Sequence, residues 1–310
     1  MNNEALPILF NPSAGKGKAL KKKNKLESIL KNMNIPYKIY VTRSEENLRS
    51  LIKKIASVNQ IIVGAGGDTT INIIINEIKK MKANVSLGIL GMGSSNDIAR
   101  EFVGLPLEGA CAILKRRRSK QVDLGVILHE GRDLHYFLGQ ANIGLGIYVN
   151  RFVETIASRG NLLGKNPVLA GIIGIMDAYS KKETSNSLNL RSQAERIEGD
   201  FIVGLISNIR FWITGMRLCP DSQPDDGLLH ACFVDKCSLL RLVYIASRAA
   251  KGMHRGLKEV KTTQSSYFEV ESDKFFEIQT DGEILQKNNS TMKFKKVGFE
   301  IRPKELSIIC

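Results

Sequence analysis

The feature that most constrains the fold is an alternation of short apolar runs and helical patterns in the first part of the chain. Apolar runs that predict strands lie at Leu6–Phe10, Tyr37–Val41, Ile61–Val63 and Ser86–Leu90. Patterns typical of helices follow them, at Lys18–Met33, Ser44–Ser57, Thr70–Met81 and Asn96–Phe102. Strands that alternate with helices favour a parallel sheet covered on both faces. The sequence therefore predicts an N-terminal α/β domain.

Glycine-rich loops follow three of these predicted strands. They read NPSAGKG at 11–17, GAGGDTT at 64–70 and GMGSSNDIAR at 91–100. One such loop alone is more often a plain turn, but ligands of an open parallel sheet bind at the carboxyl ends of its strands, where all three are expected. Such loops offer backbone N–H groups, and the helix N-termini behind them favour anions. Together the loops predict a phosphate site.

Familiar motifs of other enzymes are absent from the chain. No Walker loop, GxSxG or HExxH occurs, and GAGGDT lacks the third glycine of GxGxxG. The histidines are expected to be surface or structural residues: His129, His135, His230 and His254. The five cysteines form no CxxC, and the N-terminus shows no secretory signal pattern. A reducing, cytoplasmic setting is the expectation.

The pattern changes after KRRRSKQVDLGVI to strands separated by turn signals such as HEGR, PDDG and TDGE. Strands are predicted to begin near Gln121, Tyr136, Gly199, Gly227, Tyr267 and Phe275, and helices to lie at Ile147–Ser180 and Ser238–Val260. This indicates an α/β domain at 1–125 and a mostly β domain, a sandwich, at 126–297. The last stretch, 298–310, either closes the second domain or returns to the first.

A net charge of +14 at pH 7 indicates a polyanionic partner or surface. Charge alone does not choose among nucleic acid, nucleotide phosphates and an anionic membrane. The single tryptophan, Trp212, and the lack of a basic-aromatic motif argue against nucleic acid. The longest apolar run, Val168–Met176, is too short to span a bilayer, so a membrane would be met from its surface. Gly160–Met176 is either a lipid contact or a buried helix.

Five stretches together resemble one known family. NPSAGKG, GGDTTIN, GSSNDIAR, PDSQPDDG and TDGE occur in the order and approximate spacing of the diacylglycerol kinase catalytic-domain family, over essentially the whole chain. That family includes bacterial lipid kinases and the sphingosine and ceramide kinases, and is distantly related to NAD kinases. The resemblance implies phosphorylation of a lipid hydroxyl, diacylglycerol foremost, using ATP and Mg²⁺ in a cleft between the two domains. It also leaves room for a homodimer.

The resemblance assigns roles to particular residues. Glu283 would be the general base, with Asp68 and Asp97 beside it in the catalytic site. ATP would be held by Asn11, Lys16, Thr42, Gly66, Gly67, Asp68, Thr70, Ser94 and Asn96. Asp226 would bind a structural Mg²⁺ with the backbone carbonyls of Gln223 and Leu228. These types suit the chemistry, because a nearby carboxylate can take a proton from an alcohol and Mg²⁺ prefers oxygen ligands.

The sequence departs from the family pattern at three positions. Thr69 replaces the glycine of GGDGT, Ile73 replaces a glutamate, and Ser94 replaces a threonine but keeps a hydroxyl. If the backbone at 69 took a positive φ, Thr69 would be strained and ATP affinity reduced. Alternatives therefore stay open: a kinase for a sphingoid base or phosphatidylglycerol, an NAD-kinase-like enzyme, a catalytically impaired relative, or a nucleic-acid-binding protein.

Overall fold

A parallel sheet forms the first part of the computed structural model, which describes residues 4–158, 167–181, 185–288 and 290–310. Its strands are β1 (Leu6–Phe10), β2 (Tyr37–Val41), β3 (Ile61–Gly66) and β4 (Ser86–Gly91), in the spatial order β2–β1–β3–β4. Every residue of β1 is buried, as expected of a strand covered on both faces. The predicted N-terminal α/β domain is confirmed.

Helices follow the strands as the sequence predicts. They are α1 (Lys18–Asn32), α2 (Glu45–Ala56), α3 (Asp68–Met81), α4 (Asp97–Phe102) and α5 (Leu107–Arg116). The Ser44 hydroxyl accepts the amide of Asn47 at the start of α2, which satisfies one of the unpaired donors of that helix end. The sequence analysis missed α5, which follows Pro106 with no capping side chain.

The second part is mostly β, as predicted, and its strands pair antiparallel. Its long strands are β5 (Ser119–His129), β6 (Arg132–Phe137), β7 (Gln140–Gly144), β8 (Asn186–Arg191), β9 (Arg196–Ser207), β10 (Leu229–Asp235), β11 (Val260–Ser265), β12 (Tyr267–Phe276) and, after four two-residue strands, β17 (Phe294–Ile309). The two-residue strands are β13 (Gln279–Thr280), β14 (Glu283–Ile284), β15 (Gln286–Lys287) and β16 (Ser290–Thr291). The helices are α6 (Leu145–Ser158), α7 (Pro167–Ser180) and α8 (Leu239–Ala249). The sequence analysis missed β8, whose half-polar NSLNLR gives a weak strand signal.

Strand β17 belongs to both parts of the molecule. Its first half pairs antiparallel with β12, and β5 pairs antiparallel with it from Gly298 to Ile309. Ser307 and Ile308 also lie beside Ser86 and Leu87 of β4 in parallel. The two alternatives for the C-terminal stretch are therefore both realised. Because one hydrogen-bonded sheet runs through both parts, the boundaries at 125 and 297 stay predictions.

Predicted ends of several elements differ from the observed ones. The helix predicted at Ser238–Val260 ends at Ala249, because Gly252 and Gly256 take positive φ and turn the chain. The strand expected near Phe275 is the end of β12. Within the predicted helix Ile147–Ser180, residues 159–166 lie outside the described part, and so does the beginning of the segment Gly160–Met176. In the parts of the chain that are described, no helix is both long and apolar enough to cross a membrane.

Candidate active site

Backbone packing brings the three glycine-rich loops together at the carboxyl edge of the parallel sheet. A Cβ added to Gly93 would lie 2.6 Å from the Cα of Gly67, and one added to Gly15 would lie 2.9 Å from the carbonyl oxygen of Met92. Contacts this short exclude any side chain at Gly93 and Gly15 without movement of the backbone. The loops after β1, β3 and β4 therefore form one continuous floor, as the sequence predicts.

Polar side chains tie these loops to one another. Asn11 donates from Nδ2 to the Thr70 hydroxyl at 3.0 Å. Asn96 has a φ of 53°, and its Oδ1 accepts the Gly93 amide at 2.6 Å while its Nδ2 donates to the Gly93 carbonyl at 2.9 Å. The left-handed backbone suits asparagine, whose short side chain bonds locally. Asn11, Thr70 and Asn96 therefore hold the loop geometry through their side chains.

Asp68 joins the second loop to the third. Its Oδ2 accepts the amide of Asp97 at 3.2 Å and its Oδ1 accepts the amide of Ile98 at 3.0 Å, at the start of α4. Burial raises the pKa of Asp68 to about 7, and the negative charge of Asp97 adds to the rise, against the two amides that lower it. Burial also raises the pKa of Asp97, opposed by hydrogen bonds from the Ser95 hydroxyl and the Gly215 amide. The site therefore brings two carboxyl groups together, and the nearby charge of Arg100 offsets only part of the effect of burial on Asp97.

This carboxylate pair fits a divalent cation. The ionised forms of Asp68 and Asp97 repel each other, and a bound cation would remove that repulsion. Across the described residues, no group of three or more His, Cys, Asp or Glu side chains is placed to bind one metal ion. Mg²⁺ commonly uses only one or two carboxylates and completes its shell with phosphate oxygens and water. Asp68 and Asp97 are suited to that arrangement.

The TDGE turn faces the start of α3. The Thr69 hydroxyl lies 3.5 Å from the Asp281 carbonyl oxygen. A Cβ added to Gly282 would lie 2.9 Å from the same hydroxyl. The turn thus approaches the helix that begins with Asp68. Glu283 follows directly after this turn, in β14.

Asp281 fixes the turn in place. Its buried carboxylate accepts the amides of Leu138, Gly139 and Gln140 at 2.8–3.0 Å, and the Nδ2 group of Asn72 at 2.9 Å. Burial raises the pKa of Asp281, while these four donors oppose the rise. Sequence reasoning missed this residue, because Asp-Gly reads as an ordinary hairpin turn. No signal in the sequence distinguishes it from such a turn.

Glu283 has the properties expected of a general base. Its Oε2 atom is buried, and no hydrogen-bond partner for it lies among the described residues. Burial raises the pKa of Glu283 to about 7, with a further rise from the charge of Glu45 and a counteracting effect of Arg49. Arg49 is itself held by Glu45 at 2.6 Å and by the buried Glu77 at 2.7 Å. A carboxyl group with a pKa near neutrality exchanges protons efficiently at neutral pH.

Histidine does not compete for this role near the turn. His135 Nε2 lies 2.8 Å from Asn72 Oδ1. Burial lowers the pKa of His135 to about 4, and the charge of Arg49 lowers it further. Its ring is therefore neutral and held by an amide. His254 is fully buried, and its Nε2 lies 3.0 Å from the Leu218 carbonyl oxygen. Both agree with the prediction that the histidines are surface or structural residues.

A loop of the second part, residues 210–217, also reaches the site. The Gly215 amide donates to Oδ1 of Asp97 at 2.9 Å, and the Thr214 amide donates to the Ser95 hydroxyl at 2.6 Å. Ile213, Thr214 and Gly215 have φ values of 39°, 60° and 94°. A positive φ is costly for β-branched residues, so the surrounding contacts hold the loop in a strained form. Sequence reasoning missed this loop, because RFWITGMR contains a single glycine, no acidic residue and no recognised motif.

The remaining predicted residues take the following places. Thr42 is buried after β2, and its hydroxyl lies 3.3 Å from the Phe10 carbonyl oxygen, next to the first loop. Lys16 lies in that loop with a φ of 57°, and Ser94 lies exposed in the third loop. Gly66 ends β3. These positions line the floor, and their roles toward ATP stay predictions.

Thr69 does not have the positive φ that would strain its backbone. Thr69 lies in the first turn of α3, and it is not among the non-glycine residues with positive φ. The helical backbone accepts threonine, so the substitution for glycine carries no strain of that kind. Ile73 is buried in the same helix and packs in the core of the α/β domain. The expected loss of ATP affinity from strain at Thr69 therefore has no structural basis.

Asp226 lies in the turn before β10. Its Oδ1 accepts the Leu228 amide at 2.9 Å, and its Oδ2 lies 3.3 Å from His230 Nε2. Each carboxylate oxygen has two lone pairs, so one pair on each stays available to a cation. The set of one carboxylate with the carbonyls of Gln223 and Leu228 is compatible with hard cations. The metal site at Asp226 stays a prediction.

Comparisons with known proteins extend these observations. Residues 5–127 match the family model described as diacylglycerol kinase catalytic domain, and residues 144–310 match that of the YegS C-terminal NAD kinase beta sandwich-like domain. A diacylglycerol kinase of Staphylococcus saprophyticus is 25% identical over 281 residues, which covers 89% of this chain and 88% of that protein. One of Staphylococcus aureus is 24% identical over 283 residues, covering 89% and 85%.

The fold has close counterparts among solved structures. A crystal structure of a diacylglycerol kinase from Bacillus anthracis aligns with a TM-score of 0.68 and 17% identity. The alignment covers 99% of this chain and 96% of that chain. At this identity the likeness concerns the fold, which both chains share from end to end.

Proposed function

The chain belongs to the family that joins a diacylglycerol kinase catalytic domain to a YegS-type C-terminal domain, and we propose that it transfers the γ-phosphoryl group of ATP to a lipid hydroxyl, foremost that of diacylglycerol. It is a diacylglycerol kinase-like lipid kinase by family. The observation that carries the proposed reaction is Glu283, whose buried Oε2 lacks a partner in the described residues and whose pKa is raised to about 7. The acceptor and the residue roles are proposals.

The proposed reaction needs one proton transfer from this chain. Glu283, ionised, accepts the proton of the lipid hydroxyl as its oxygen attacks the γ-phosphorus. The bond between that phosphorus and the bridging oxygen to the β-phosphate breaks, and ADP leaves. Asp281 does not touch the reacting atoms. It positions Glu283, because its carboxylate anchors the turn that carries the base.

The glycine floor would bind the triphosphate. Gly66, Gly67 and Gly93 let the loops pack closely against Thr70 and one another, and the N-terminus of α3 favours negative charge. Residues Asn11, Lys16, Thr42, Thr70, Ser94 and Asn96 would complete the contacts. Asp68 and Asp97 would hold Mg²⁺. When bound, Mg²⁺ neutralises charge that develops on the phosphoryl group.

Two alternatives remain to be weighed, another lipid acceptor and a catalytically impaired relative. A sphingoid base or phosphatidylglycerol as acceptor would use the same base and floor, so only assay separates them from diacylglycerol. The argument for an impaired relative from strain at Thr69 is removed, since Thr69 is helical. We propose that the enzyme meets its lipid at the surface of an anionic membrane. Its cytoplasmic location and a homodimer stay predictions.

The test is transfer of labelled γ-phosphate from Mg-ATP to lipids in mixed micelles. Diacylglycerol, phosphatidylglycerol, a sphingoid base and NAD⁺ are offered separately to the wild type and to Glu283→Gln. We expect labelled phosphatidic acid with the wild type and none with the variant, although both bind ATP. Transfer to NAD⁺ alone, or to no acceptor, contradicts the proposal. Unchanged transfer by Glu283→Gln places the base elsewhere.

A further inference from the structure

Helix α8 exposes an apolar face to solvent. Leu240 is 84% exposed, Val243 59% and Tyr244 45%. Their spacing of three and four residues puts them on one side of the helix. The opposite side is also apolar, because Leu242 and Ile245 are buried in the hydrophobic cluster beneath it. A helix that merely covers a core has a polar outer face, so the outer face of α8, defined as Leu240, Val243 and Tyr244, points to a partner.

The chain around this helix carries an excess of positive charge, after three ion pairs are taken into account: Arg241 with Glu259, Arg255 with Asp221 and Lys261 with Asp235. The stretch from Lys236 to Lys261 contains seven Lys or Arg and one acid, Glu259. Arg241 lies over the Tyr244 ring, with its guanidinium carbon 5.0 Å from the ring centroid. Lys251 follows the helix and is exposed. An apolar face flanked by basic side chains is typical of helices that lie in the interface of an anionic membrane.

A second group of basic residues links α8 to the site. The guanidinium carbons of Arg100, Arg210 and Arg217 lie 5.6, 5.4 and 5.8 Å from the centroid of the Phe211 ring. We call these three residues the arginine cluster. Glu101 pairs with Arg210 at 2.7 Å, so the cluster keeps an excess of positive charge. Guanidinium groups match the geometry of phosphate oxygens.

The arginine cluster is adjacent to α8 in the fold. The Arg217 amide donates to the Ala249 carbonyl at 2.9 Å, at the last residue of the helix. Two residues before Arg217, the Gly215 amide binds Asp97. One short loop therefore connects the end of α8, the arginine cluster and the carboxylate pair. A surface that engaged α8 and the cluster would lie next to the contact of this loop with Asp97.

We propose that the outer face of α8 and the arginine cluster form a docking surface for an anionic phospholipid bilayer. Leu240 and Val243 enter the apolar boundary of the bilayer, while the arginines bind headgroup phosphates. This inference rests on the proposed function, since it supplies the surface at which the enzyme meets its membrane lipid. A second copy of the chain suits the surface less well, because a two-fold interface would bring the basic rims of both copies together.

The test is flotation of the full chain with vesicles of phosphatidylcholine, with and without phosphatidylglycerol. The variants are Leu240→Ser with Val243→Ser, and Arg217→Gln, each checked for folding by thermal unfolding. Val58→Ser is the matched control, because Val58 is 79% exposed on the α/β domain, after α2. We expect the double variant to lose about tenfold in partitioning to anionic vesicles, Arg217→Gln to lose severalfold, and the control to equal the wild type. Salt is expected to weaken wild-type binding.

Three results would overturn the inference. They are absence of wild-type binding to anionic vesicles, equal binding by the folded double variant, and a wild-type dimer that the double variant abolishes while neither binds vesicles. The last result would make α8 a self-association surface. Transfer by the wild type to short-chain diacylglycerol in micelles is measured separately. If the wild type binds vesicles yet transfers nothing, the proposed function fails and the docking surface stands.

Discussion

Replacement of Glu283 by glutamine is expected to make the protein more stable and inactive at the same time. In the wild type, burial raises the pKa of Glu283 from 4.5 to about 7. A raised pKa means that the folded state holds the proton more tightly than the unfolded chain does. The stabilising contribution is therefore fully present below about pH 4.5 and is lost as the pH rises through about 7. Complete loss corresponds to about 3 kcal/mol.

The assay is urea unfolding of both proteins near pH 5.5 and near pH 8. Glutamine has the shape of the protonated carboxyl group and does not ionise, so the variant escapes the penalty that the wild type suffers at high pH. Glu283→Gln should have a higher free energy of unfolding than the wild type at both pH values. The difference between the two proteins should be about 2 kcal/mol larger near pH 8 than near pH 5.5. Phosphoryl transfer should fall by about a thousandfold or more, within the range seen when a general base is removed.

The control is Glu195→Gln, at an exposed position in the turn between β8 and β9. Water solvates that carboxylate in both states, so its replacement should change the free energy of unfolding by the same small amount at each pH. A difference between Glu283→Gln and the wild type that did not vary with pH would refute the reasoning. It would mean that the Glu283 carboxylate is solvated or paired in the folded state.

Further predictions concern the floor, the turn and the start of α3. Gly93→Ala should abolish ATP binding in calorimetry, because its Cβ would lie 2.6 Å from the Gly67 Cα. The control, Gly109→Ala, has open space around the added Cβ and should bind ATP normally. Equal binding by both variants would contradict the packing of the floor. Asp281→Ala should lower the free energy of unfolding by about 3 kcal/mol or more, since it leaves three buried amides unpaired. A loss below about 1 kcal/mol would contradict the role of Asp281 as the anchor of the turn. Thr69→Gly should leave ATP affinity within about twofold and lower stability by less than about 1 kcal/mol, since residue 69 is already helical; a marked gain in affinity would show that threonine is strained there.

Much of the fold could be predicted because the sequence patterns are local. Strands β1 and β3 are continuous apolar runs, and Ser44 with Glu45 and Glu46 marks the start of α2. The glycine loops were predictable for the same reason, since each stands directly after its strand. Strand β8 was not predictable, because its sequence is half polar and one of its two partners, β12, lies far along the chain. The end of α8 was missed because Gly252 and Gly256 were not recognised as the residues that turn the chain.

The site could be predicted only in part. Asp68 and Glu283 stand in recognisable stretches, so resemblance reaches them. Asp281 and Gly215 act through contacts with residues more than a hundred positions away, and neither carries a local sign of that role. Burial, which sets the pKa of Glu283, is a property of the assembled fold. Residue type indicates which chemistry is available, whereas the environment decides whether it operates near neutral pH.

The role of Glu283 as the base of a lipid kinase is tested by the pH dependence of kcat/KM for phosphorylation of diacylglycerol in mixed micelles. The base must be ionised to accept a proton, so kcat/KM should rise with pH through an apparent pKa of about 7, and Glu283→Gln should show no measurable rate. A wild-type rate that is flat from about pH 5.5 to 8, or a variant that keeps the same pH-dependent rise, would contradict it.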